Sequence, residues 1–119
     1  MKTKTTIIVK LSVDGMHNFP AAAELFPEVA FLADRHRHMF HFTVAKEVFH
    51  DDRDVEFIMF KRDILNYLSD QYSDNYRRTL EFGPKSCEML AREILQRFDC
   101  DWVEVWEDQE NGARVEKLS

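Results

Sequence analysis

Apolar and polar residues alternate over residues 3–13. Ile7, Val9, Leu11 and Val13 share one face, and Thr6, Ile8, Lys10 and Ser12 share the other. A period of two predicts a half-buried strand, because successive side chains point to opposite sides of the pleat. Asp14-Gly15 is expected to end this strand, since glycine permits turns that other residues resist. His17 then falls where strand gives way to loop. The alternation returns over 35–48, where His36, His38, Phe40, Phe42 and Val44 point one way. Arg35, Arg37, Met39, His41 and Thr43 point the other. Between these strands lie Pro20 and Pro27, flanking a six-residue stretch from Ala21 to Phe26. A short helical turn opened by Pro20 and stopped by Pro27 is expected there. So long an excursion is unusual unless it covers something, and a lid over His17, His36 and His38 is the natural occupation.

Further along, His50 to Asp54 forms a polar bend whose three aspartates read as a solvated turn in preference to a cation site. Val55-Glu56-Phe57 continues as extended chain. From Ile58 the period becomes helical, with Phe60, Ile64, Leu65, Leu68 and Tyr72 on one stripe. Residues 73–82 are polar and irregular, and Gly83-Pro84 marks a break. Ser86 is a suitable N-cap for a second helix with Glu88 in its first turn. Cys87, Leu90, Ala91, Ile94, Leu95 and Phe98 form that helix's apolar stripe. Residues 101–107 return to strand, with Val103, Val105 and Glu107 opposite Trp102, Glu104 and Trp106. The two tryptophans are expected to pack under helices or at a subunit contact. Asn111-Gly112 predicts a tight turn before a short last strand over residues 113–116. The order β-β-α-α-β-β describes an α+β domain: a four-stranded antiparallel sheet with two helices on one face.

Composition narrows the function. At 119 residues, with 45% hydrophobic residues and only three glycines, the chain reads as one ordered domain. A formal charge of −6 argues against nucleic acid or an anionic membrane as partner, since both require a basic face. The first residues lack the apolar core of a signal peptide, and no apolar run approaches the roughly 18 residues of a membrane span. A cytoplasmic protein is expected. Cys87 and Cys100 flank the second helix about 20 Å apart at 1.5 Å per residue, too far for a disulfide.

Two imidazoles two residues apart on one strand face can reach one metal ion, and His17 is available as a third ligand. Zinc accepts nitrogen at about 2.0–2.1 Å and commonly keeps one position open in catalytic sites. The competing reading makes His36 and His38 polar residues at an interface or a wet strand end. Glu107 has two valines as same-face neighbours, which suggests a half-buried position. Its carboxylate can accept two parallel N–H bonds from the amidine-like edge of a pterin or guanine. An exposed charge near a strand end is the alternative. Cys87 stands in the first turn of a helix, where the dipole can lower a thiol pKa, and is a candidate catalytic residue. Its apolar stripe makes it a small core residue in the competing and favoured reading.

Four motifs in this order resemble the 6-pyruvoyl-tetrahydropterin synthase and 6-carboxy-tetrahydropterin synthase family. His36-Arg37-His38-Met39-Phe40 is similar to its His-Gly-His-Asn-Tyr-like run. Glu56-Phe57-Ile58-Met59-Phe60-Lys61 resembles its Asp-Phe-x-x-Leu-Lys. Lys85-Ser86-Cys87-Glu88-Met89-Leu90-Ala91 resembles Pro-Thr-x-Glu-Asn-x-Ala, and Val103-Glu104-Val105-Trp106-Glu107-Asp108 resembles the closing strand. The resemblance implies a tunnelling fold (T-fold), in which sheets of a homo-oligomer, here a hexamer, join into a barrel. It also implies zinc on His17, His36 and His38, and Glu107 gripping a pterin- or purine-type small molecule. The implied activity is that of a zinc-dependent carbon–oxygen lyase on a pterin triphosphate, with a catalytically silent binding protein as the alternative. Two family elements have no counterpart: residues 18–35 contain no cysteine, and no histidine follows His50.

Overall fold

Strand β1 (Thr5–His17) and strand β2 (His36–Val48) pair antiparallel along their full thirteen residues, from Thr5 opposite Val48 to His17 opposite His36. This computed structural model describes residues 1–74 and 79–119. A short helix α1 (Ala22–Leu25) and a 3-10 segment (Pro27–Ala33) lie between the two strands. Helix α2 (Phe57–Tyr72), strand β3 (Leu80–Gly83), helix α3 (Cys87–Phe98) and strands β4 (Trp102–Glu107) and β5 (Asn111–Glu116) follow.

The fold is α+β, with an open five-stranded mixed sheet in the order β3-β1-β2-β4-β5. That corrects the four-stranded antiparallel expectation. The additional strand, β3, runs parallel to the end of β1, with Gly15 opposite Leu80 and Met16 opposite Glu81. Its first three residues lie within residues 73–82, expected to be irregular, of which residues 75–78 are outside the described part. Four residues are too few to establish a period, and the Arg35 Nε bonds to Glu81 at 2.7 and 2.9 Å come from far away in sequence.

The core lies between one sheet face and two helices. Val9 and Leu11 of β1, Phe40, Phe42 and Val44 of β2, and Val103 and Val105 of β4 meet Phe60, Ile64 and Leu68 of α2. Leu90, Ala91 and Ile94 of α3 complete it. Both helices start where their caps require. Glu56 accepts bonds from the Ile58 and Met59 N–H groups, so α2 begins one residue earlier than expected and Val55-Glu56-Phe57 is not a continuing strand. The Ser86 hydroxyl accepts from Met89 N at 3.1 Å, as its sequence position suggests.

Gly15 does not end β1. It lies inside the strand on the core face, where an added Cβ would fall 2.5 Å from a Phe82 ring carbon and 2.8 Å from one of Phe40. The glycine is there to let two rings close over the strand, and the alternation therefore runs on through Val13 and Gly15 to His17. Likewise, Asn111-Gly112 is part of β5 and not a turn. The turn is Asp108-Gln109, both with left-handed φ (52° and 62°), and Gly112 admits the Trp106 ring opposite it. Trp102 and Trp106 lie on the sheet face away from the helices, so of their two expected places the one beneath the helices is overturned. Trp102 carries the Arg114 guanidinium 4.0 Å above its ring, and Trp106 Nε1 donates to Glu104.

Replacing Gly15 with Ala is expected to destabilise the protein by about 1–3 kcal/mol, the usual range for overpacking against side chains that cannot withdraw. Urea unfolding measures this, and an unchanged midpoint would show that the rings have room to move.

Candidate metal centre and its cavity

The continued alternation of β1 brings three histidines together. His17 and His36 are cross-strand partners, and His38 lies on the same face two residues along β2. Their ring centroids are 4.5, 5.3 and 5.0 Å apart, and one nitrogen from each falls within 4.8 Å of the others. This His17–His36–His38 cluster can hold a metal ion. It is the sole group of this kind among the described residues.

Each imidazole is oriented from behind. His17 Nδ1 lies 3.0 Å from the Lys85 carbonyl, His36 Nδ1 2.8 Å from the Asp34 carbonyl, and His38 Nδ1 2.6 Å from the Asp108 carboxylate. All three partners are acceptors, so each Nδ1 donates its proton and each Nε2 presents a lone pair. Metal-binding histidines are commonly held in this way, with the second nitrogen bonded to a carbonyl or carboxylate. Burial holds the His17 pKa below its ordinary value, against the Lys85 carbonyl and the Glu107 charge, and so favours the neutral form a metal requires.

His17 is 8% exposed, and its Nε2 has no hydrogen-bond partner among the described residues. The Glu107 carboxylate stands over it without hydrogen-bond geometry, Oε1 lying 3.3 Å from His17 Nε2 and Oε2 3.3 Å from His38 Nε2. Lone pairs facing a carboxylate repel, and a cation between them converts that repulsion into attraction. Tetrahedral ligands around zinc sit roughly 3.3 Å apart, so the three histidine nitrogens, which lie within 4.8 Å of one another, would draw together by up to about 1.5 Å on binding. An all-imidazole donor set suits zinc, copper, iron and nickel alike.

The cluster opens into a cavity of about 660 Å³ whose lining includes His17, His36, Phe19, Phe26, Cys87 and Glu107. The excursion between β1 and β2 forms one wall of it, pinned by Phe19 N–H to the Leu32 carbonyl at 2.7 Å. Glu107 ends β4 opposite Phe40 and is half-buried, in line with its two valine neighbours Val103 and Val105. Cys87 belongs to the core cluster and also faces the cavity, its Sγ 3.6 Å from Glu107 Oε1. Burial, reinforced by the Glu107 charge, pushes its thiol up to about 12, overriding any help from the helix dipole.

The remaining polar candidates lie elsewhere. His41 faces the other side of the sheet, 2.7 Å from the Ser12 hydroxyl. His50 sits by Asp54 in the polar bend, where Asp54 caps the Phe49 N–H and Asp52 pairs with Arg53. Asp108 was not singled out by sequence. Its left-handed backbone lets it donate its N–H to the Met39 carbonyl while its carboxylate holds both Met39 N–H and His38. An aspartate tolerant of left-handed φ just after a strand was the available signal. No family model matches this chain, and no curated protein matches it in sequence.

Cys87, at about 12, and Cys100, pushed by burial to about 11, are free and buried. A thiolate forms only above the pKa, so both should resist alkylation by iodoacetamide at pH 8 in the native protein and react fully once unfolded. Rapid native labelling of Cys87 would show a reactive thiolate in the cavity.

Proposed function

We propose that this chain is a zinc-binding T-fold protein of the 6-pyruvoyl- and 6-carboxy-tetrahydropterin synthase type, holding a pterin- or purine-type heterocycle beside the metal. The carrying observation is the meeting of three back-oriented histidines with the Glu107 carboxylate at the mouth of one cavity. His17, His36 and His38 would hold the ion through Nε2. Zinc bound there would polarise a hydroxyl or carbonyl oxygen of the ligand. Glu107 offers two acceptor oxygens at fixed spacing to the ring's paired N–H groups, while Phe19 and Phe26 supply apolar wall.

The chemistry this chain can add is limited. Eliminating triphosphate and rearranging a dihydropterin side chain needs a placed base, typically worth about 10²–10⁴ in rate. The cavity's thiol is held protonated, and none of its lining histidines lies outside the metal set. The reading is therefore a binding protein with little or no lyase turnover. A lyase using Cys87 is the second reading, favoured by the 3.6 Å approach of its sulfur to Glu107 within the same cavity. Product chromatography with dihydroneopterin triphosphate separates the two: no turnover is expected, and rapid turnover lost in Cys87→Ala would establish the second.

Assembly is part of the proposal. Among the described residues β3 meets β1 only at Gly15, Met16 and His17, so the earlier part of β1 has one edge without a strand, flanked by exposed Ile8, Phe57 and Ile58. Such an edge calls for a partner, and a hexameric ring of this chain would supply it. Native mass spectrometry is expected to find a hexamer with one zinc per chain. His36→Ala and His38→Ala should each lose the zinc and keep the assembly. Full zinc in both variants would reject the assignment.

Glu107→Gln exchanges one acceptor oxygen for a donor that meets the ring N–H head-on. Calorimetry with pterins and guanine nucleotides should show a loss of about 2–4 kcal/mol, roughly 30- to 1,000-fold, with zinc content unchanged. Equal affinity would place the ring elsewhere, and lost zinc would make Glu107 a metal ligand instead.

A further inference from the structure

One hydrogen bond in the site, Nδ1 to the Lys85 carbonyl at 3.0 Å, orients the His17 imidazole. That carbonyl belongs to the short connection between β3 and α3, where the backbone has little to hold it. Lys85 N–H reaches the Phe82 carbonyl only at 3.3 Å, the long end of hydrogen-bond geometry. The side chain is anchored far better. Lys85 Nζ is paired with the Glu93 carboxylate and donates to the Tyr72 hydroxyl at 2.7 Å. Glu93 also accepts from the Tyr72 hydroxyl at 2.5 Å and from the Tyr67 hydroxyl at 2.8 Å. One carboxylate on α3 thus gathers two hydroxyls from α2 and the ammonium of the residue that aims His17.

This cluster is weak evidence of core stability. The Lys85 side chain is 37% exposed, and a partly buried ion pair is weak evidence for stabilisation because desolvation offsets attraction. Its geometric effect is specific. With both oxygens of Glu93 engaged, the Lys85 side chain has one place to go, and its backbone follows.

We propose that Glu93 is a positioning residue for the metal centre. By clamping the Lys85 side chain it holds the Lys85 carbonyl against His17 Nδ1, which keeps the Nε2 lone pair aimed into the cavity. The inference rests on the three-histidine reading above and carries its support one layer outward, from the bond behind the ligand to the group that fixes that bond.

The test has two arms. Long-range proton–nitrogen NMR of the metal-free protein reads each imidazole tautomer, and competition with a chromophoric chelator reads zinc affinity. Wild type should show His17 as the Nδ1–H tautomer. Glu93→Gln should shift His17 toward a tautomer mixture and leave His36 and His38 unchanged, while weakening zinc about tenfold, the lower end of supporting-residue effects. Lys85→Met removes the clamp from its exposed end and should reproduce both changes even where Glu93→Gln weakens the fold. A pure Nδ1–H His17 with wild-type zinc affinity in both variants would overturn the proposal, whatever happens to the melting temperature. Failure of wild type to bind zinc would remove the metal reading alone, because the metal-free tautomer arm still decides whether Glu93 positions His17.

Discussion

Everything in this molecule depends on the in-register ladder between β1 and β2. Thirteen paired residues fix which side chains face the helices, and that one choice sets both the core and the histidine cluster. Val9 opposite Val44, Leu11 opposite Phe42 and Val13 opposite Phe40 build the apolar part. Two pairs further on, the same face carries His17 opposite His36. Site and core are therefore successive stretches of a single surface, with Gly15 at their boundary under the rings of Phe40 and Phe82.

Much of this could be read from the chain, since it depends on period. The faces of β1 and β2, the apolar stripes of the long helices and the Ser86 cap are local features that a repeat of two or 3.6 reveals. What escaped depends on contacts distant in sequence. Gly15 looks like a strand breaker until the two phenylalanine rings that need its space are known. Strand β3 exists because the end of β1 offers it a partner, not because its four residues insist on it. The turn moved to Asp108-Gln109 because Gly112 is needed beneath Trp106 and Asp108 is needed behind His38. The three histidines were visible as a set, whereas the carbonyls of Asp34 and Lys85 that aim two of them were not, since a backbone oxygen has no signature in sequence.

The electrostatics of the cavity divide its polar groups by task. Burial and back-bonding keep His17 neutral and pointed, which suits a ligand. The same burial keeps Cys87 protonated beside a carboxylate, which suits packing and hydrogen bonding better than nucleophilic attack. Glu107 stands 3.3 Å from both His17 Nε2 and His38 Nε2, where a cation between them would meet its charge. Among the described residues the cavity lining offers no histidine beyond the candidate cluster, and its one thiol is held protonated.

The shared face has a consequence for how faithfully the chain makes its site. Because side chains alternate with a period of two, a ladder shifted by one residue would turn the apolar residues of β2 away from the helices together with His36 and His38. No molecule slipped by one residue could keep the apolar residues of β2 inside and lose only its two histidines, or the reverse. Folding thus proofreads the candidate metal centre: the hydrophobic effect that rejects a one-residue slip also rejects the copies whose β2 histidines face away.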